Sequence, residues 1–341
     1  MKIKELTIVF ACLVVSLQAT AQQEPRFTLF NQNYQIINPA AIGSRDNLSV
    51  SMLYRYQWVG YEGAPRTGTI TTSVQVLPIR SAIGVSFMND QVGIVRSNAV
   101  SINYAFIAQI DSKKRIAFGT SLGMNENRIQ YSNLETDPNN AFLAANNRLN
   151  FGQDMTHYSP QIGLGVYYYT DKFKFGISTP SINNYKYYNV NNGGTKQTHL
   201  YAMLGSNFII SEKIFYNLRL LGKFSEGTPM QGDIMNQFIM NKKYALGCSF
   251  RTGESVSVFA TYIFHEQFNM SYAYDIVSLN KLRSYQYGSH EIALNYLLPV
   301  LFNKEHVKRK RQNKAVECAD PDNKDRKKLH QEILKIYYDL D

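Results

Sequence analysis

Between residues 48 and 302 the chain alternates apolar and polar side chains over stretches longer than ordinary globular strands. Residues 48–58 set the pattern. Leu48, Val50, Met52, Tyr54, Tyr56 and Trp58 share one parity, and Ser49, Ser51, Leu53, Arg55 and Gln57 share the other. A period of two means a strand with one apolar and one polar face. Eleven residues suit a tilted membrane crossing, and the aromatics at the far end suit a membrane–water interface.

Fourteen such segments follow one another: 48–58, 67–76, 81–89, 97–109, 115–129, 158–170, 173–179, 198–210, 214–224, 232–240, 244–251, 255–264, 268–277 and 290–302. Every second connection is short: 77–80, 110–114, 171–172, 211–213, 241–243 and 266–267. The intervening ones, 59–66, 130–157, 180–197, 225–231 and 278–289, are mostly longer, with 252–254 an exception. A soluble sandwich has no reason to keep its short turns at one end. An outer-membrane barrel has short periplasmic turns, longer outer loops and an even strand number. The expected fold is therefore an all-β, transmembrane antiparallel barrel of about 14 strands, with both termini on the periplasmic side. Arg55, Gln57, Asn103, Gln109, Asn125 and Gln161 fall on the inward parity. The last strand ends on Phe302, an aromatic finish that fits a barrel-assembly signal.

Four regions are expected. Residues 1–21 read as a signal peptide: Lys2 and Lys4 precede an apolar run, and Ala19-Thr20-Ala21 is a small-x-small cleavage site. Residues 22–47 are rich in Asn and Gln and serve either as a periplasmic lead-in or as a plug folded back into the lumen. Residues 48–302 form the barrel. Residues 303–341 form a basic periplasmic tail, with six basic residues and one acid over 304–314. Within it Leu329, Ile333, Ile336, Tyr337 and Leu340 make one apolar stripe of a short helix. Such a helix is marginal alone and wants a docking partner.

Composition narrows the function. The net charge is +10, but the chain is exported and its basic residues gather in turns and in the tail, which argues against nucleic acid. Cys248 and Cys318 make neither a disulfide scaffold nor a zinc pattern. His157, His199, His265 and His290 are scattered, with no Ser–His arrangement for a hydrolase. Asp137, Asn139 and Asp154 lack calcium-loop spacing, and no Gly-rich loop precedes a helix. No catalytic residue, cofactor or metal is expected.

The stretch FNQNYQIINPAAIGSR, followed by LYRYQWVGYEGAPRT, resembles the PorP/SprF family, outer-membrane barrels of the type IX secretion and gliding machinery of Bacteroidetes. The matching positions are Asn38, Pro39, Ala40, Gly43 and Ser44, then Arg55, Gln57, Trp58, Val59, Gly60, Tyr61, Gly63, Ala64 and Pro65. Asn89-Asp90-Gln91-Val92-Gly93 and YSPQIGLGVYYYTDKFKFGIS at 158–178 extend the likeness over most of the chain. The tail departs from the family pattern. The resemblance implies a non-enzymatic outer-membrane component that supports export or surface attachment of cargo. Its implied partners are outer-membrane lipid, the secretion apparatus and a large secreted cargo or adhesin. A porin or ligand-specific channel is the competing reading. Gly60 and Gly63 are expected to permit positive φ in the first outer loop, with Pro65 stiffening it and Trp58 anchoring the strand end.

Overall fold

The computed structural model describes residues 25–44, 48–76, 79–111, 114–133, 154–182, 185–186, 195–196, 198–226, 228–264, 267–277 and 287–298. Fourteen strands form one closed antiparallel barrel. They are β1 (Leu48–Tyr56), β2 (Arg66–Val76), β3 (Ser81–Val92), β4 (Val95–Asp111), β5 (Lys114–Ile129), β6 (Met155–Tyr169) and β7 (Phe173–Thr179), then β8 (His199–Ser211), β9 (Ile214–Ser225), β10 (Gln231–Met240), β11 (Tyr244–Arg251), β12 (Ser255–Phe264), β13 (Phe268–Val277) and β14 (Ser289–Leu298). Each pairs with its neighbours in sequence, and β14 closes on β1 with Leu48 opposite Leu298. A two-stranded ribbon, Tyr185–Lys186 with Thr195–Lys196, lies in the β7–β8 connection. Closure leaves no strand edge, which lipid requires.

The expected alternation produces this wall. On β12 every second residue is buried and every other one exposed. Around the middle of the wall the exposed parity is predominantly apolar, as with Ile102 at 61% and Leu122 at 59% exposed. An apolar field of this extent is not tolerated in water and fits lipid. No helix among the described residues is long and apolar enough to cross a membrane. At the short-turn end Phe208, Tyr216, Phe238, Tyr244, Tyr262, Phe264 and Phe268 follow one another around the outside, with neighbouring ring centroids 4.2–5.7 Å apart within the contacting pairs. This is the aromatic girdle of a membrane interface.

Three expectations change. Trp58 lies beyond the end of β1 with φ 51°, inside the first outer loop. The short-and-long rule fails at a second outer connection, where Gly93 and Ile94 alone join β3 to β4. Gln109 is exposed at the short-turn end. The signal peptide, the finish on Phe302 and the tail stripe of Leu329, Ile333, Ile336, Tyr337 and Leu340 lie outside the described residues.

Residues 27–43 fold inside the barrel in three short 3-10 helices, Phe30–Gln32, Tyr34–Ile36 and Pro39–Ser44. Asn38 accepts a hydrogen bond from Ala40 N–H at 2.9 Å, which closes the last turn locally. Phe27, Leu29, Phe30, Tyr34, Ala40, Ala41 and Ile42 form the apolar core with inward residues of the wall. Burying each large member is worth about 1.5–3 kcal/mol. The segment begins at the long-loop end, beside Glu254, and reaches the short-turn end at Gly43, beside Ile107 and Tyr169. The barrel strands start and finish on the short-turn side as expected, but the segment's first described residues lie at the opposite mouth.

Candidate functional site at the two ends of the lumen

At the long-loop end the inward parity of five strands and one turn converges on a buried charged cluster. Arg55, near the end of β1, is 2% exposed. Its Nη1 donates to Glu291 Oε2 on β14 at 2.8 Å and to Thr28 Oγ1 at 3.0 Å. Its Nη2 pairs with Asp275 on β13. Nε of Arg55 is buried without a partner, so the guanidinium is held by its two terminal nitrogens. Arg251 on β11 adds a second cation, with Nε on Asp233 Oδ1 at 2.8 Å and Nη1 on Glu254 Oε1 at 3.4 Å. Arg26 reaches the other oxygen of Glu254 at 3.3 Å.

The cluster grips the chain inside the lumen. Glu291 accepts the backbone N–H of Thr28 at 2.8 Å and that of Leu29 at 2.7 Å, one on each oxygen. Thr28 Oγ1 donates to Asp275 Oδ1 at 2.8 Å while accepting from Arg55. Charge-assisted bonds of this kind are roughly twice as strong as neutral ones. Every charge here has a partner of opposite sign, which low-dielectric burial demands.

At the short-turn end the grip is steric. Asn38 is wholly buried, and its Nδ2 donates to Val166 O at 3.1 Å. A Cβ at Gly165 or Gly176 would run into the Asn38 amide, and one at Gly119 would strike the backbone of Pro39 and Ala40. Gly43 meets Ile107 closely and offers its carbonyl to Tyr169 OH at 2.7 Å. Ser178 Oγ donates to Ile37 O at 2.9 Å.

Above the charged cluster runs the first outer loop. Gly60 and Gly63 have φ +93° and +72°, as the loop requires. Gly63 O accepts from Gly93 N at 2.9 Å, and Val59 exchanges backbone bonds with Tyr287 and Gly288. Gln57 N–H donates to Pro65 O at 2.9 Å and closes the loop base, while Gln57 Nε2 reaches Glu254 at 3.3 Å. The half-buried Trp58 donates its backbone N–H to Ser289 Oγ at 3.1 Å. The motif positions thus divide between the lumenal grip (Asn38, Pro39, Gly43, Arg55) and the loop (Gln57, Trp58, Gly60, Gly63, Pro65).

The profile of the family described as "Type IX secretion system membrane protein PorP/SprF" matches residues 19–296. The chain belongs to the PorP/SprF family. It is an outer-membrane β-barrel of the type IX secretion system, and so associates with that apparatus. The match ends before the basic tail. No curated protein matches the chain. Among solved structures, the CymD monoaromatic hydrocarbon channel shares 11% identity at a TM-score of 0.47, covering 78% of this chain and 92% of its own. Omp33 of Acinetobacter baumannii shares 10% identity at a TM-score of 0.44, covering 76% and 100%. The Pseudomonas putida toluene transporter TodX shares 12% at 0.43, covering 78% and 92%. Likenesses this distant say nothing about what a PorP/SprF barrel carries or binds.

Asp233, Arg251, Glu254, Asp275, Glu291 and Thr28 were not singled out by sequence reasoning. The available signal was a lone charge at inward parity near a strand's outer end, as with Asp275 and Glu291 among Ser, Ala and Asn. The four histidines do not converge. His290 faces outward with Nδ1 2.6 Å from Tyr272 OH, His199 is buried in the lumen, His157 lies on β6, and His265 is outside the described residues. Among the described residues no group of three His, Cys, Asp or Glu could hold a metal ion.

Proposed function

We propose that this PorP/SprF barrel serves type IX secretion as a closed docking partner in the outer membrane, supporting export or surface attachment of cargo without itself being the conduit. The observation that supports the reading is the lumenal segment tied to Arg55 and Glu291 at one mouth and seated on Gly119, Gly165 and Gly176 at the other. A barrel that conducted solutes would gain nothing from a segment held at both ends. With the lumen occupied, contact falls to the two mouths. Outer loops 130–157 and 180–197 are assigned to a large secreted cargo or adhesin. The basic tail, through Leu329, Ile333, Ile336, Tyr337 and Leu340, is assigned to periplasmic apparatus subunits.

Crosslinking intact cells of the native host, with the tagged full-length protein recovered for mass spectrometry, tests the assignment. Recovery of periplasmic secretion-ring proteins or of one large exported protein is expected. Recovery of bulk envelope proteins alone, together with solute-sensitive conductance of the wild-type protein in a planar bilayer, would transfer the reading to a channel. A tail-deleted protein that kept every partner would remove the tail from the assignment.

A further inference from the structure

Strands β4–β6 are the longest in the barrel, at 17, 16 and 15 residues, whereas β11–β14 have 8 or 10. The wall is therefore taller on one side, and the register shows what the added height carries. Met52, Ile70, Phe87, Val100, Met124 and Pro160 lie opposite one another across β1–β6, all facing outward. Two residues nearer the long loops lies a polar row, Tyr54, Gly68, Asn89, Asn98, Glu126 and Tyr158. Two residues further lies a row of Tyr56, Arg66, Gln91, Arg96, Arg128 and Thr156. Three arginines thus share one row about 13 Å beyond the last apolar row, at the strand rise, with Arg96 beside Arg128 and Gln91 between Arg66 and Arg96. The outward positions at the long-loop ends of β8–β14 hold instead Leu200, Phe224, Phe250, Val256, Ile276 and His290.

Arg96 and Arg128 are direct cross-strand partners, and like charges placed so repel. Asp154 answers only Arg128, taking its Nε and Nη2 at 3.0 and 2.7 Å. Arg96 has a weak bond to Gln91 at 3.4 Å, and Arg66 lies over the Tyr56 ring, 4.7 Å from its centroid. Glu126, one row below, is engaged by Asn98 at 2.9 Å and Tyr158 at 3.3 Å. A cavity of about 480 Å³ opens at the β2 end of the row, lined by Tyr56, Glu62, Arg66, Gln91 and the glycines of the motif loop.

We propose that this outward arginine row is a binding site for a phosphate-bearing glycolipid of the outer leaflet. The forks of Arg66 and Arg96 take the phosphate oxygens, a geometry guanidinium suits better than ammonium does. Arg128, held upright by Asp154, adds positive potential beside them. The sugar faces the Asn89–Asn98–Glu126 row and the cavity, whose side chains are hydrogen-bonding groups. The acyl chains lie on the apolar rows beneath, from Phe87 and Val100 to Ile102 and Leu122, whose outward exposure they cover. Such a lipid fixes the barrel's tall side against the outer leaflet.

The test uses purified full-length protein in detergent, offered phosphorylated lipid A or its dephosphorylated form, with retained lipid read by native mass spectrometry. The wild type is expected to hold phosphorylated lipid A and to lose roughly tenfold in retention when the phosphates are removed or in Arg66→Gln/Arg96→Gln. Heat-modifiable migration on a gel confirms that the variant is folded. Should it not fold, the two lipids compared on the wild type decide alone. Equal retention of both lipids, unchanged retention by the folded variant, or complete displacement by millimolar inorganic phosphate would overturn the assignment, the last by showing a small-anion site.

Discussion

Thr28 and Asn38 belong to one lumenal segment, and the barrel grips them by different means. Around Thr28 the wall supplies charge: Glu291 takes two backbone amides, and Arg55 ties Glu291, Asp275 and the Thr28 hydroxyl into one net. Around Asn38 the wall supplies missing side chains, with Gly119, Gly165 and Gly176 opening the room that Asn38 and Ala40 occupy. A charged grip is only as good as its completeness, because removing one member strands the others in a low dielectric. A steric grip fails by addition, because one extra methyl has nowhere to go. The two ends should therefore break under opposite kinds of substitution.

The largest effect is expected from Arg55→Ala. It leaves Asp275 and Glu291 facing each other with Arg251 the nearest cation, 4.0 Å from Asp275. Breaking a buried pair in this way costs about 3–5 kcal/mol. Urea unfolding of the vesicle-inserted protein should show a loss of that size. A loss under about 1 kcal/mol, the worth of an exposed pair, would mean that water enters the cluster and the charged grip is no grip.

The steric end should answer next. Gly165→Ala places a methyl on the Asn38 side chain and should cost about 1–3 kcal/mol as overpacking. In an Asn38→Gly background the same substitution should cost far less, because the clashing amide is gone. Additive losses in this cycle would show that Gly165 matters to the strand and not to the seat. Smaller again is Tyr169→Phe, which removes the hydroxyl bonded to Gly43 O at 2.7 Å. A loss of about 0.5–1.5 kcal/mol is expected, the net worth of one hydrogen bond. A larger loss would mean that Tyr169 holds the segment by more than this one bond.

The sequence showed the wall far better than its contents, for a physical reason. Lipid requires mostly apolar residues at the outward positions that cross its core, so fourteen strands could be placed to within a few residues of their ends. Even residues 232–240, a weak alternation, became β10. The lumen imposes no such period. Asp275 and Glu291 look like single polar residues on an inward face already rich in Ser and Asn. Their partner Arg55 is 220 and 236 residues away, and the pairing exists only once β14 closes on β1. Arg55 and Asn38 were visible as motif positions, but their work was not, because it depends on residues 27–43 passing through the lumen. Gly165 and Gly176 stood inside a recognised block for the same hidden reason. Trp58 misled as a strand end because its parity continues that of β1 while its backbone has already turned.

An Arg–carboxylate contact placed in water calibrates the buried ones. Arg128 and Asp154 pair at 2.7 Å at the base of the β5–β6 connection, with Arg128 47% exposed. Asp154 also accepts the Ser132 hydroxyl at 2.8 Å and its backbone N–H at 3.2 Å. The Ser132 hydroxyl and then Arg128 hold the Asp154 carboxyl below the usual carboxylate range. A lowered value in the folded state means that the contact is fully present above the ordinary aspartate pKa of about 3.9 and is lost as pH falls through the lowered one. Hydrogen exchange at the Ser132 amide should thus be slow at neutral pH and quicken only in acid below that ordinary value. Asp154→Asn should quicken it at neutral pH while leaving the global unfolding midpoint unchanged, since exposed pairs contribute little. If Asp154→Asn instead lowered the midpoint as far as Arg55→Ala, burial would not be what separates the two arginines. The contrast between a charged grip inside the lumen and a charged contact on its rim would then collapse.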